Sequence, residues 1–122
     1  MVILLIEPDT KLAGVYKRAL VQAGHDVLWA RQAQSAVHLA DEKTPDLVVL
    51  EIQLSAHNGI EFLYEFRSYP EWKDIPVVLL TMVTPDSIQI TKAMLESLGI
   101  VDVLYKPATN LQQLVTAVKD AL

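Results

Sequence analysis

The chain has 122 residues, 52% of them apolar and 20% charged, with Lys+Arg 10 against Asp+Glu 15 for a net charge of −5; a single domain over residues 1–122 buries roughly two thirds of the surface its unfolded chain exposes, enough for a core without staples. There is no cysteine, which excludes a disulfide framework, a Cys-ligated zinc site, a thiol nucleophile and an iron–sulfur cluster. The longest apolar run, Met1 to Ile6, is far short of the ~20 residues that span a bilayer, no signal-peptide pattern opens the chain, and an acidic composition without a Lys/Arg cluster argues against nucleic acid as a partner; the expectation is a cytoplasmic domain that binds neither membrane nor nucleic acid.

Five β-rich runs alternate with segments of helical spacing, the pattern of βαβ units in a parallel sheet. The runs are Val2 to Ile6, Asp26 to Ala30, Leu47 to Glu51, Val77 to Thr81 and Val101 to Tyr105. The first, third and fourth are continuously apolar, as central strands covered on both faces should be. After the first, Leu12, Val15, Tyr16, Ala19, Leu20 and Ala23 recur at helical spacing and Gly24 follows as a C-terminal cap. The second helix, about Gln32 to Glu42, is read from Ala33, Ala36, Val37 and Ala40 and ends before Thr44-Pro45. A third runs from about Ile60 to Ser68 with Leu63 and Phe66 inward, and Tyr69 to Pro76 is read as a loop. The fourth is expected to start at Thr84 as N-cap with Pro85 in its first position, to face Ile88, Thr91, Leu95 and Leu98 inward, and to end at Gly99. The fifth starts near Thr109 or Asn110 and buries Leu111, Leu114, Val115, Val118 and Leu122. The order is (βα)5, an α/β doubly wound sheet whose site lies at the carboxyl ends of the strands.

Those ends carry Glu7 and Pro8 after the first strand, Glu51 closing the third, Thr81 closing the fourth, and Lys106-Pro107 after the fifth. Two carboxylates, a hydroxyl and an ammonium should meet at one rim. Singly, such residues often do no more than cap the next helix.

As a set, and in order along nearly the whole chain, they resemble the receiver domain of two-component response regulators. The matching pieces are Ile3 to Asp9, Pro45 to Glu51, Asn58-Gly59, Pro76 to Thr81 and Lys106-Pro107. The resemblance implies a flavodoxin-like receiver fold with strand order 2-1-3-4-5 and a role in phosphorelay signalling. It also implies an aspartate phosphoacceptor at the end of the third strand, an acid pair after the first that holds Mg²⁺, and a Thr and a Lys that bind the phosphoryl oxygens. Metal and ammonium would there stabilise charge on a phosphoryl group in transit.

Against that pattern the acceptor position is Glu51, and the acid pair is Glu7-Pro8, whose second member has no carboxylate. Thr81 and Lys106 are kept. The aromatic switch position, three residues before the lysine, is Val103; Tyr105 is adjacent to the lysine and alternates to the other face, and Ser55 stands where a proline is usual. A displacement of about 1 Å can cost ~10²-fold in rate, so phosphotransfer onto Glu51 should be slow or absent. Mg²⁺ takes one or two carboxylates with water and phosphate; Glu7, Asp9 and Glu51 are weak candidates, and the expectation is no cofactor. Glu51, with its longer reach, either places its charge beside Lys106 and Thr81 and imitates a phosphorylated site, or forms a partly exposed ion pair worth ~0 to 1 kcal/mol.

Asp9 reads primarily as the N-cap of the first helix. His25, His38 and His57 have no metal spacing and read as surface residues, Trp72 reads as a loop anchor, and no GxGxxG is present. The expected function is that of a degenerate receiver, not an enzyme, working by contact with signalling proteins or a fused output or kinase domain. Its expected contact face is the fourth helix, fifth strand and fifth helix, with Ile90, Met94, Leu98 and Tyr105, and a homodimer through that face is the candidate assembly. The alternatives are a phosphoacceptor with slow Mg²⁺-dependent self-phosphorylation and a module that binds a small ligand at the strand ends.

Overall fold

Five parallel strands form one sheet in the order β2-β1-β3-β4-β5, as the resemblance implies. The strands are β1 (Val2–Ile6), β2 (Asp26–Ala30), β3 (Leu47–Leu50), β4 (Val77–Thr81) and β5 (Ile100–Tyr105), and the helices between and after them are α1 (Thr10–Gln22), α2 (Ala33–Glu42), α3 (Gly59–Ser68), α4 (Lys92–Ser97) and α5 (Leu111–Ala121). Short 3-10 turns at Pro70–Trp72 and Lys106–Ala108 complete the chain. The structure, a computed structural model, describes residues 1–54, 58–84, 86–87 and 89–122. The expectations placed on Ser55, His57, Pro85 and Ile88 lie outside the described residues.

The central strands are apolar throughout because each feeds two cores. Ile3, Leu5, Leu47, Val49, Val78 and Leu80 face one layer with Ala13, Tyr16 and Leu20 of α1 and Leu114 and Val118 of α5. Leu4, Ile6, Val48, Leu50, Val77 and Leu79 face the other with α2, α3 and Leu98. Period-two alternation along the strand divides them. On α2 the inward residues are Ala33, Ala36 and Ala40, so the helix backbone lies close to the sheet. The expected loop after α3 is pinned by Trp72, buried and stacked on Phe66 at 4.9 Å between ring centroids.

Several expectations need correction. The fourth helix does not start at Thr84: Thr84 and Ser87 close a turn, hydroxyl to hydroxyl at 2.7 Å and Ser87 N–H to the Thr84 carbonyl at 2.9 Å. The N-cap is Thr91, whose hydroxyl accepts from the Met94 N–H at 3.1 Å. Two threonines offer capping oxygens in this stretch, and the β-branched Ile90 and Thr91 make the segment before the second a poor helix interior. Val15 of α1, Ala23 just after it, and Leu111 and Leu122 around α5 are exposed, not inward, because the apolar stripe of each helix is narrower than its apolar composition. β3 stops at Leu50, one residue short of Glu51. His25 is half-buried.

Candidate functional site: a closed carboxylate–lysine rim

Glu7 and Glu51 lie one residue beyond adjacent strands, and the backbone ladder continues through them. The Glu7 N–H donates to the Ala30 carbonyl and the Glu51 N–H to the Ile6 carbonyl, each at 3.0 Å. Thr81 is the last residue of β4, in register with Tyr105, so Lys106 begins the 3-10 turn one step farther on. Strand ends thus bring Glu7, Glu51, Thr81 and Lys106 to one rim, as expected. The loop after β3 is held down by Gly59, whose N–H donates to the Ile52 carbonyl at 2.8 Å; a Cβ there would lie 2.6 Å from the Ile52 Cα. Only glycine admits that approach.

Lys106 sits between the two acids, its Nζ 2.5 Å from Glu7 Oε1 and 2.8 Å from Glu51 Oε1. The second oxygen of Glu7 accepts the Asp9 N–H at 3.0 Å. Glu51 accepts four donors. Lys106 Nζ and the Met82 N–H at 3.0 Å meet Oε1, and the Thr81 hydroxyl and the Gln53 N–H at 3.1 Å meet Oε2. Thr81 Oγ1 itself accepts the Val83 N–H at 3.1 Å. Glu7, Glu51 and Thr81 are 2%, 3% and 0% exposed and the Lys106 side chain 6%. The partly exposed ion pair is therefore replaced by a buried triad of net charge −1.

Burial alone would push the Glu51 carboxyl up, but hydrogen bonds from Lys106, Thr81 and the Met82 and Gln53 amides outweigh it and hold the group below its ordinary 4.5. Burial likewise works against the Lys106 ammonium, yet Glu51 and Glu7 raise it above its ordinary 10.5. Both partners are thereby fixed in their charged forms. Across α1, burial raises the Tyr16 hydroxyl above 10.0, with Lys106 opposing and Glu7, Glu51 and Asp9 adding to the rise.

The donor set does not fit Mg²⁺. Both Glu7 oxygens and both Glu51 oxygens are engaged, Pro8 offers no carboxylate, and Asp9 Oδ1 accepts the Leu12 N–H at 3.0 Å as the N-cap of α1. Among the described residues no group of three or more His, Asp or Glu side chains is placed to hold a metal ion. Pro8 lines a shallow opening with Ile52, Gln53, Leu54 and Asn58.

The sequence model of the response regulator receiver domain family matches residues 3–119. The chain belongs to that family. Among solved structures, the Vibrio cholerae chemotaxis protein CheY4 is similar with a TM-score of 0.86 at 21% identity, covering 99% of this chain and 98% of that one. A response regulator receiver domain protein from Clostridium thermocellum matches with a TM-score of 0.82 at 24% identity over 98% and 92% of the two chains. The signal receiver domain of a signal transduction histidine kinase from Syntrophus aciditrophicus does so with a TM-score of 0.83 at 24% identity over 99% and 89%. As a receiver domain of two-component signalling, the chain carries its departures at the strand-end rim.

The remaining candidates are dispersed. Val103, at the switch position, is half-buried against the α2–α3 core. Leu98 is buried at 2% exposure in that same core and is withdrawn from the proposed contact face: it lies directly before the turn into β5, where the chain must dip to the sheet. Ile90 and Met94 are half-buried and line a cleft with Ile60 and Val83. Tyr105 is half-buried, and its carbonyl accepts from the Thr109 hydroxyl at 2.7 Å. Sequence reasoning missed the backbone donors Met82 and Gln53, which no side-chain pattern reveals. It also missed the Trp29 indole, which donates to the Glu7 carbonyl at 3.0 Å. Among the described residues no helix is long and apolar enough to cross a membrane.

Proposed function

We propose that this receiver domain works without accepting a phosphoryl group, its strand-end site being filled by its own Glu51, and that it signals in the cytoplasm by protein contact and not as an enzyme. The observation that carries this reading is the fourfold engagement of the Glu51 carboxylate. Thr81 and Lys106, the groups that the family resemblance assigns to phosphoryl oxygens, already donate to a carboxylate. A phosphoryl donor would have to break a buried ion pair to reach either of them. No Mg²⁺ or other cofactor is required. The partners are signalling proteins or a fused output or kinase domain, met on the surface of α4, β5 and α5 through Ile90, Met94 and Tyr105, where a second copy would also dock.

Incubation with a small acyl-phosphate donor and Mg²⁺, read by intact mass, tests this. No stable adduct of about 80 Da, the mass of one phosphoryl group, is expected. A stoichiometric adduct on Glu51 would restore the phosphoacceptor reading. The double substitution Glu51→Asp with Pro8→Asp should gain partial phosphorylation, since Thr81 and Lys106 are in place. Met94→Asp should abolish association through the α4–β5–α5 surface, because a desolvated charge at an apolar contact is strongly unfavourable.

A further inference from the structure

On the side of the molecule away from α1 and α5, a groove of about 520 Å³ runs between α2 and α3. Its floor is Ala33, Val37, Phe62, Tyr69 and Trp72. Its rim is Gln34, His38 and Asp41 from α2, Glu61 and Glu65 from α3, and Glu71 from the following 3-10 turn. The rim residues are exposed, and among the described residues no lysine or arginine lines the groove. The groove lies where α2 packs on the sheet through alanines, and the apolar surface it offers is that of the partly covered Val37 and Tyr69, above Phe62 and Trp72, which are buried. None of these residues belongs to the carboxylate–lysine rim.

We propose that this groove is a docking site for a cationic amphipathic helix of a partner protein. Two parallel ridges over an apolar floor are the arrangement into which a third helix lays its apolar face. Four carboxylates around it, with no cation between them, select lysine and arginine beside those anchors. Gln34, His38 and Asp41 stand at i, i+4 and i+7, a rim of roughly 10 Å at 1.5 Å per residue, so the occupant needs only two or three turns. A second copy is the competing occupant, since α1 carries Lys11, Lys17 and Arg18 with the exposed Val15 and Val21 and no acid. The net charge of −5 on every copy opposes that pairing.

The test titrates the ¹⁵N-labelled chain with a helical Leu/Lys peptide of about fourteen residues, leucines spaced along one face at i, i+3/i+4 and i+7. Amide shifts should concentrate on Val37, His38, Tyr69 and Trp72. Glu61→Lys with Glu65→Lys should weaken binding by about tenfold or more, whereas Glu96→Lys with Asp120→Lys, an equal charge change elsewhere, should leave it within about twofold. All four positions are exposed, and unchanged circular dichroism and melting temperature verify the fold of each variant. A peptide of the same composition with its apolar face scrambled should also bind about tenfold more weakly. Equal effects of the two charge reversals, or equal binding of the scrambled peptide, would reduce the groove to diffuse charge and overturn the proposal. Sedimentation that shows self-association abolished by Glu61→Lys with Glu65→Lys would overturn it as well, giving the groove to a second copy.

Discussion

Two cationic side chains are drawn into this molecule, one at each end of the sheet, and they are satisfied in opposite ways. At the amino ends of β4 and β5, Arg67 donates through Nε to the Leu98 carbonyl at 2.9 Å, through Nη1 to the Trp72 carbonyl at 2.7 Å and through Nη2 to the Ile75 carbonyl. At the carboxyl ends, Lys106 is held by two carboxylates. Arg67 hydrogen-bonds to uncharged carbonyl oxygens, with the Asp74 carboxylate acting on it through space, and its planar fork ties three chain segments that would otherwise bury unpaired carbonyls. It is a structural staple. Lys106 instead lies among opposed charges whose burial has to be offset by mutual attraction, and such an arrangement contributes little to stability relative to an apolar filling. Its place at the functional end of a doubly wound sheet, and not its contribution to folding, accounts for it.

The sharpest way to break the comparison is to remove each cation. Lys106→Met leaves two buried carboxylates facing one another and should cost about 3 to 5 kcal/mol of unfolding free energy by urea titration. Adding Glu7→Gln and Glu51→Gln should recover most of that loss, because the uncompensated charge and not the missing bond is what destabilises. Arg67→Met should cost about 2 to 4 kcal/mol through its orphaned carbonyls. No carboxylate substitution should rescue it.

The pH dependence separates the two further. Glu51 is held below its ordinary 4.5, so its stabilisation is present above that value and is lost as pH falls through the folded-state value. Lys106 is raised above its ordinary 10.5, so its contribution is present below that value and is lost as pH rises through the folded-state value. Urea midpoints should therefore fall on both limbs. Glu51→Gln should flatten the acid limb and shrink the alkaline one, while Arg67→Met should lower the curve and leave the Glu51 and Lys106 limbs in place, since its hydrogen-bond partners are backbone carbonyls.

Most of the architecture was legible in the residues, and the reason is visible in β1, β3 and β4: continuous apolar runs can be satisfied only between two helical layers. The rim was legible for a related reason, because residues one step past a parallel strand must converge wherever the strands are adjacent. The start of α4 was misread since Thr84 and Thr91 offer the same cap, and only the packed chain decides between them. Whether the Glu51–Lys106 pair is enclosed or partly exposed stayed open in the sequence, as no sequence pattern reveals the Met82 and Gln53 amides that let a carboxylate lie inside. Arg67 escaped notice because its partners are backbone carbonyls, which every residue possesses.

The smallest expected effect sharpens the staple side. Gly24 and Gly99 both have positive φ, at 97° and 68°, and both follow helices. A Cβ at Gly24 meets nothing within 4 Å, whereas one at Gly99 runs into Arg67 Nη2. Gly24→Ala should thus report backbone strain alone, about 1 kcal/mol. Gly99→Ala should cost about 1 kcal/mol more, because Arg67 cannot withdraw without releasing its carbonyls. In an Arg67→Met background that excess should vanish and the two glycine substitutions should become equivalent, the coupling appearing as non-additivity in a double-mutant cycle. Equal costs in the parent chain would mean that the guanidinium yields freely, and Arg67 would then be a mobile ligand of the loop and not the staple that fixes it.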